Sequence, residues 1–133
     1  MENYETLLLL VKQVFIYKIP PRTTSKGVKA ADWDVNAFLW TGRMRVLQVN
    51  DDTCTLVFED SKTGELFASC PYTSSSVVEQ VTDSSRYFVI KIVDKVTGQH
   101  AFVGLGFPER SWAFDFQVAL QEFLKYVFLF ILP

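Results

Sequence analysis

The sequence predicts an α+β domain in which seven antiparallel strands form a small bent sandwich or barrel, capped by one C-terminal helix. Pro108 to Val127 is the one stretch with sustained helical periodicity, and its Trp112, Ala113, Phe116, Ala119, Leu120, Phe123, Leu124 and Val127 gather on one stripe. Upstream, short apolar or alternating runs are separated by turn-forming residues at Asn50-Asp51-Asp52, Asp60 to Gly64, Thr82 to Ser85 and Asp94 to Gly98. A stripe of this size needs a sheet to cover. Burying its large side chains contributes on the order of 10 kcal/mol before the entropy of ordering is subtracted.

In chain order, Leu7 to Ile19 is rich in Leu, Val, Ile, Phe and Tyr and stops at Pro20-Pro21, which cannot donate to a ladder; it is strand one. Arg22 to Ala37 is a polar loop with a helical turn around Trp33, expected to plug the sheet edge. Trp40 to Val49 alternates, with Trp40, Gly42, Met44 and Val46 on one face and Thr41, Arg43 and Arg45 on the other. Cys54 to Glu59 and Glu65 to Ser69 continue a meander, and Pro71 to Ser76 is a loop. Val77 to Val81, Arg86 to Val93 and His100 to Phe107 complete the strands. Gly104 and Gly106 share one face of the last strand, which predicts close approach of another element, most simply the terminal helix. The helix begins between Pro108, suited to a first helical position, and Ser111, suited to an N-cap. Phe114 and Val118 lie on its polar face, either covered by a terminus or loop or exposed as a contact for a partner. By analogy this plan is pleckstrin-homology-like.

With 133 residues the chain is one domain, and its hydrophobic fraction of 49% marks it as globular. A net charge of -2 argues against a general nucleic-acid binder. Cys54 and Cys70 lack zinc-ligand spacing and read as reduced cysteines of a cytosolic protein. The N-terminal MENYETLLLLVKQVF has acidic residues ahead of its apolar run and no small-residue cleavage site, so it reads as a strand and not a signal peptide. Tyr126 to Leu132 is apolar but far shorter than the roughly 20 residues needed to span a bilayer. The domain is assigned to residues 1–127, with 128–133 a short apolar tail.

His100 has no nucleophile near it in sequence, and Gly104-Leu105-Gly106 sits inside a strand without opening a helix. No enzyme, cofactor or metal signal follows. Arg43, Arg45 and Arg86, the last with Ser84 and Ser85, offer guanidinium forks and hydroxyls that suit an anion. The same arginines could instead pair across strands with Glu59, Asp60 or Glu65. Lys18 with Arg43-x-Arg45 also imitates the phosphoinositide-binding pattern of pleckstrin-homology domains, an alternative reading as a membrane module.

Tyr17-Lys18-Ile19-Pro20-Pro21-Arg22, Trp40-Thr41-Gly42-Arg43, Gly64 to Ala68, Val81 to Ile90 and Ala113-Phe114-Asp115-Phe116 closely resemble the NECAP family, the adaptin ear-binding coat-associated proteins, from about Tyr4 to Val127. The resemblance implies a PHear domain with a pleckstrin-homology-like fold and no catalytic role. It implies an accessory module of clathrin-mediated endocytosis, cytoplasmic and associated with clathrin-coated pits and vesicles at the plasma membrane. Its expected partners are the plasma-membrane clathrin adaptor complex in its phosphorylated form and accessory proteins bearing Phe-x-Asp-x-Phe peptides. Membrane association would be peripheral, through coat partners, and the chain a monomer. The contact residues expected on this reading are Arg43, Arg45, Ser84, Ser85, Arg86, Arg110 and Phe114. The family's Trp-x-x-Phe ear-binding motif does not occur here, so ear binding is not expected.

Overall fold

The computed structural model describes residues 4–20, 29–34, 36–94 and 96–130. The strands are β1 (Glu5–Tyr17), β2 (Trp40–Val49), β3 (Thr53–Glu59), β4 (Leu66–Pro71), β5 (Val78–Gln80), β6 (Tyr87–Asp94) and β7 (His100–Gly106); the helix α1 is Arg110–Phe130. Pro21 of the Pro20-Pro21 stop, the predicted loop residues Arg22 to Val28 and Val35, Lys95 of the predicted turn, and the tail residues Ile131 to Pro133 lie outside the described residues. Seven strands and a C-terminal helix match the sequence reading. The predicted fifth strand is shorter than expected, because Ser75–Val77 forms a 3-10 turn. The helix continues three residues past Val127, so Phe128 to Phe130 are helical.

The strands run β4-β3-β2-β1-β7-β6-β5 in a single antiparallel sheet, and Ala68↔Asp94 and Ser69↔Val93 join β4 to β6 and close it into a barrel. β6 thus divides one edge between two neighbours: β5 takes its first half through Val78↔Ile90 and Gln80↔Phe88, and β4 its end. Together with the helix this is the pleckstrin-homology-like architecture. Alternation sends Met44, Val46, Leu56, Phe58, Cys70, Phe88, Ile90 and Leu105 into the interior. Two hairpins use one local device: in Asp60 to Gly64, Asp60 Oδ1 accepts from the N–H of Lys62 and Thr63, and in Asp94 to Gly98, Asp94 Oδ1 accepts from Val96 and Thr97. Each loop closes on a glycine with φ of 76° or 72°, a conformation that disfavours any Cβ.

The helix corks one end of the barrel. Ala113, Phe116, Leu120 and Phe123 are buried, and Phe116 meets Phe88 edge-to-face at 5.2 Å and Phe107 at 5.3 Å between ring centroids. Trp112, Ala119 and Val127 are half-buried, while Leu124 at the stripe's margin is exposed.

Gly104 and Gly106 correct the sequence reading. They face not the helix but a second, smaller core outside the barrel wall, built from Tyr17, Trp33, Val81 and Val89 with Tyr87 against it. A Cβ on Gly104 would lie 2.6 Å from the Trp33 ring, and one on Gly106 would lie 2.7 Å from Tyr17 and 2.8 Å from Tyr87. The short turn Ala30–Asp32 delivers Trp33 to this position. It is clamped by Asp83, whose carboxylate accepts from the N–H of Ala30 at 2.7 Å and Ala31 at 3.0 Å. Trp33 therefore covers a face of the sheet and not its edge. Gly104→Ala should cost about 1–3 kcal/mol through overpacking. In combination with Trp33→Ala, chemical denaturation should show the two penalties to be less than additive, because the second change removes the clash; strict additivity would mean that Trp33 is not what the glycine accommodates.

Candidate partner-binding surface

The sequence-predicted contact residues fall into two groups, one on β2 and one around the β5–β6 turn and the start of α1. Arg43 and Arg45 project from β2 toward Glu59 on β3, with Arg43 directly opposite it in the ladder. Arg43 Nε donates to Glu59 Oε1 at 2.8 Å, Arg45 Nε lies 2.7 Å from the same oxygen, and Arg45 Nη2 donates to Oε2 at 3.2 Å. Glu59 is only 5% exposed. Burial alone would push its carboxyl up, but the hydrogen bonds and charges of Arg45 and Arg43 outweigh that and hold it below the usual range. Of the two readings open in sequence, cross-strand pairing describes these arginines. The two guanidiniums that a phosphoinositide site would use are turned to an internal carboxylate. Lys18, the third residue of that pattern, is exposed just beyond the end of β1.

Arg86 belongs to the second group, where the turn between β5 and β6 meets the junction of β7 and α1. The Arg86 carbonyl accepts from Phe107 N–H at 3.0 Å, and its Nη1 donates to the Pro108 carbonyl at 3.1 Å. Its guanidinium also rests 5.5 Å from the centre of the Tyr87 ring. No carboxylate among the described residues is paired with it in a resolved ion pair. Ser84 Oγ accepts from the Arg86 N–H at 3.2 Å, which shapes the turn, and Ser85 beside it is exposed. The turn and the helix start are thereby held together, and Arg110, exposed as the first residue of α1, comes to the end of the molecule that carries Arg86. Glu109 is the acidic residue just ahead of the helix, and the first turn of α1 itself has none. The unpaired N–H groups of that turn add partial positive charge.

Phe114 is one turn along from Arg110, so the two share a helix face. It is 63% exposed, and Val118 below it is half-buried. Of the alternatives for this pair, exposure describes Phe114. A cationic end with hydroxyls and a neighbouring aromatic side chain can hold an anionic group and an apolar one together. Sequence reasoning missed Asp83, which positions the whole turn, although an aspartate in a turn is a familiar backbone acceptor. The N–H of Ala30 is the main cause holding its carboxyl below the usual range.

Among the described residues the other titratable groups make no catalytic constellation. His100 is exposed at the start of β7 opposite Val93. Burial pushes the thiol of Cys54 up to about 11 and that of Cys70 up to about 12, so both are protonated and unreactive at neutral pH. Among the described residues no three His, Cys, Asp or Glu side chains are grouped to hold a metal ion, and no helix is long and apolar enough to cross a membrane.

Residues 4–128 match the family described as "Protein of unknown function (DUF1681)". Human adaptin ear-binding coat-associated protein 1 is 46% identical over 127 residues, and human adaptin ear-binding coat-associated protein 2 is 45% identical over 127 residues. Each alignment covers 94% of the chain but 46% and 48% of those proteins, so the chain spans about half the length of the curated relatives it matches. An uncharacterized protein of Arabidopsis thaliana is 50% identical over 129 residues, 95% of the chain and 47% of that protein. In fold, the Ran-binding domain of the nuclear complex component Nup2 from Ashbya gossypii superposes with a TM-score of 0.64 over 92% of the chain and 97% of that domain, at 10% identity. That likeness is one of fold alone.

Proposed function

The chain belongs to the family of the adaptin ear-binding coat-associated proteins, and on that premise we propose that it is a non-enzymatic adaptor module of clathrin-mediated endocytosis. In this reading it works in the cytoplasm at clathrin-coated pits and binds the plasma-membrane adaptor complex. The contact is a phosphorylated segment held by Arg86 and Arg110 with the hydroxyls of Ser84 and Ser85, while Phe114 supplies an apolar contact. The observation that carries it is Arg86, fixed by the Pro108 carbonyl at the start of α1 and bonded to no described carboxylate. A guanidinium already oriented loses little freedom when it meets a phosphate, and the helix N-terminus reinforces the attraction. Accessory proteins with Phe-x-Asp-x-Phe peptides are the second class of partner, whose two aromatic anchors need apolar hollows with a cation or donor between them.

The test is a titration of isotope-labelled protein with a phosphothreonine peptide of the adaptor and with its unphosphorylated twin. Arg110→Glu and Arg86→Glu should each weaken phosphopeptide binding roughly tenfold to a hundredfold, as expected for loss of a hydrogen bond to a charged group. Arg110→Glu should leave the melting temperature near wild type, since Arg110 is exposed. Equal binding of the phosphorylated and unphosphorylated peptides would remove the anion reading.

A further inference from the structure

A second surface adjoins the turn that carries Ser84, where Gln80 Nε2 donates to the Ser84 carbonyl at 3.5 Å, and has the form of a strand-accepting groove. β5 is the last strand of the sheet order and among the described residues pairs with β6 alone. Its hydrogen-bond phase follows from Val81, whose N–H donates to the Tyr87 carbonyl at 3.2 Å. In an antiparallel ladder bonded and non-bonded pairs alternate, so Glu79↔Val89 is the next bonded pair and Gln80 turns its own N–H and carbonyl away from β6. The Val78 N–H is already given to the Ser75 carbonyl, which leaves the Val78 carbonyl and both Gln80 groups on the open side.

Beside this edge, between β5 and α1, lies a cavity of about 220 Å³ floored by Phe88, Phe116 and Leu120 and bordered by Gln80, Gln117 and Gln121. Gln117 Nε2 donates to Gln80 Oε1 at 2.8 Å and bridges helix to strand across it. The volume is below the range of small-molecule sites, roughly 300–1,000 Å³, and suits a single large side chain. None of the residues lining it is an acid or a base, so charge complementarity calls for an uncharged occupant.

We propose that the groove between β5 and α1 binds an uncharged, extended peptide segment of a partner protein, which adds a strand to the Gln80 edge and inserts one large apolar side chain between Phe88, Phe116 and Leu120. The main chain of the segment exchanges hydrogen bonds with Gln80, and its anchor packs over the buried side chains of Phe88, Phe116 and Leu120. The two surfaces adjoin through Gln80 and Ser84, but the groove uses the Gln80 main chain and the phosphate contact uses the Arg86 and Arg110 side chains.

The experiment selects binders from a displayed library of nine-residue peptides on the intact chain, then measures affinity and amide shifts. Selected peptides should carry one large apolar residue in an uncharged stretch and shift Gln80, Gln117 and Leu120. Gln80→Pro deletes the outward N–H without touching the β6 ladder and should lower affinity at least about fivefold, whereas Gln80→Ala keeps that N–H and should bind more tightly than the proline variant. Gln121→Trp fills the groove from an exposed position and should abolish binding. The proposal is overturned if nothing is selected, if the selected peptides bind both the Pro and Trp variants like wild type, or if shifts fall at Arg86 and Arg110 instead. A parallel titration with the phosphothreonine peptide reports on the phosphate contact separately.

Discussion

Phe116→Ala is expected to destabilise the chain by about 3–5 kcal/mol, the largest effect of any single change considered, read as a fall in the urea midpoint with an unchanged slope. Phe116 is fully buried, and its ring closes a triangle with Phe88 and Phe107, which are themselves 5.7 Å apart. Truncation removes the aromatic transfer energy and also leaves a void at the end of the barrel, which the strands cannot collapse to fill because their spacing is set by the ladder. Phe114→Ala, two positions away on the exposed face, should change stability by less than about 0.5 kcal/mol. Similar penalties for the two would mean that the helix is not seated through this face.

Glu59→Gln should cost about 2 kcal/mol at neutral pH. Removing one partner of a buried ion pair costs about 3–5 kcal/mol, but the Arg43 and Arg45 side chains are 36% and 35% exposed, so water relieves part of the stranded charge. The pH dependence distinguishes this from lost packing. The carboxyl of Glu59 is held lower in the folded chain than in the unfolded one. As acid is added, the unfolded chain therefore takes up the proton first, and folding loses the contribution of the ion pair. That contribution is fully present above the ordinary glutamate value, about 4.3, and disappears as pH falls through the lower folded value. Asp60 and Asp83 are also held low by backbone N–H groups and give both proteins some acid sensitivity. The difference between wild type and Glu59→Gln should nevertheless shrink below about pH 4. A penalty that stays constant down to pH 2 would assign the effect to shape alone.

The run Val81 to Ile90, one of those that carry the family resemblance, has a physical account in the fold. Val81, Tyr87 and Val89 belong to the outer core around Trp33, and Phe88 and Ile90 point to the interior. Asp83 clamps the turn that delivers Trp33, Ser84 caps the Arg86 N–H, and Arg86 ties β6 to the helix junction. Each of the two strand faces thus serves a different core. Alternation makes such a two-sided strand legible, but not what lies on its outer side.

Local regularities were determined by the sequence itself. The stripe of α1, the bounds of β2, the aspartate-to-glycine hairpins and the polar outer face of β2 follow from periods of 3.6 and 2 and from turn chemistry, all of which act between residues close in the chain. Contacts across long separations were decided only by the tertiary structure. Trp33 on Gly104, Glu59 between two arginines, Arg86 on the Pro108 carbonyl and the open edge of β5 beside the helix depend on strand order and barrel closure. A glycine pair announces that something approaches, and an arginine pair that an anion is wanted. Which aromatic ring or carboxylate answers is set by register and closure, because burial rewards whichever partner the closed sheet brings within reach.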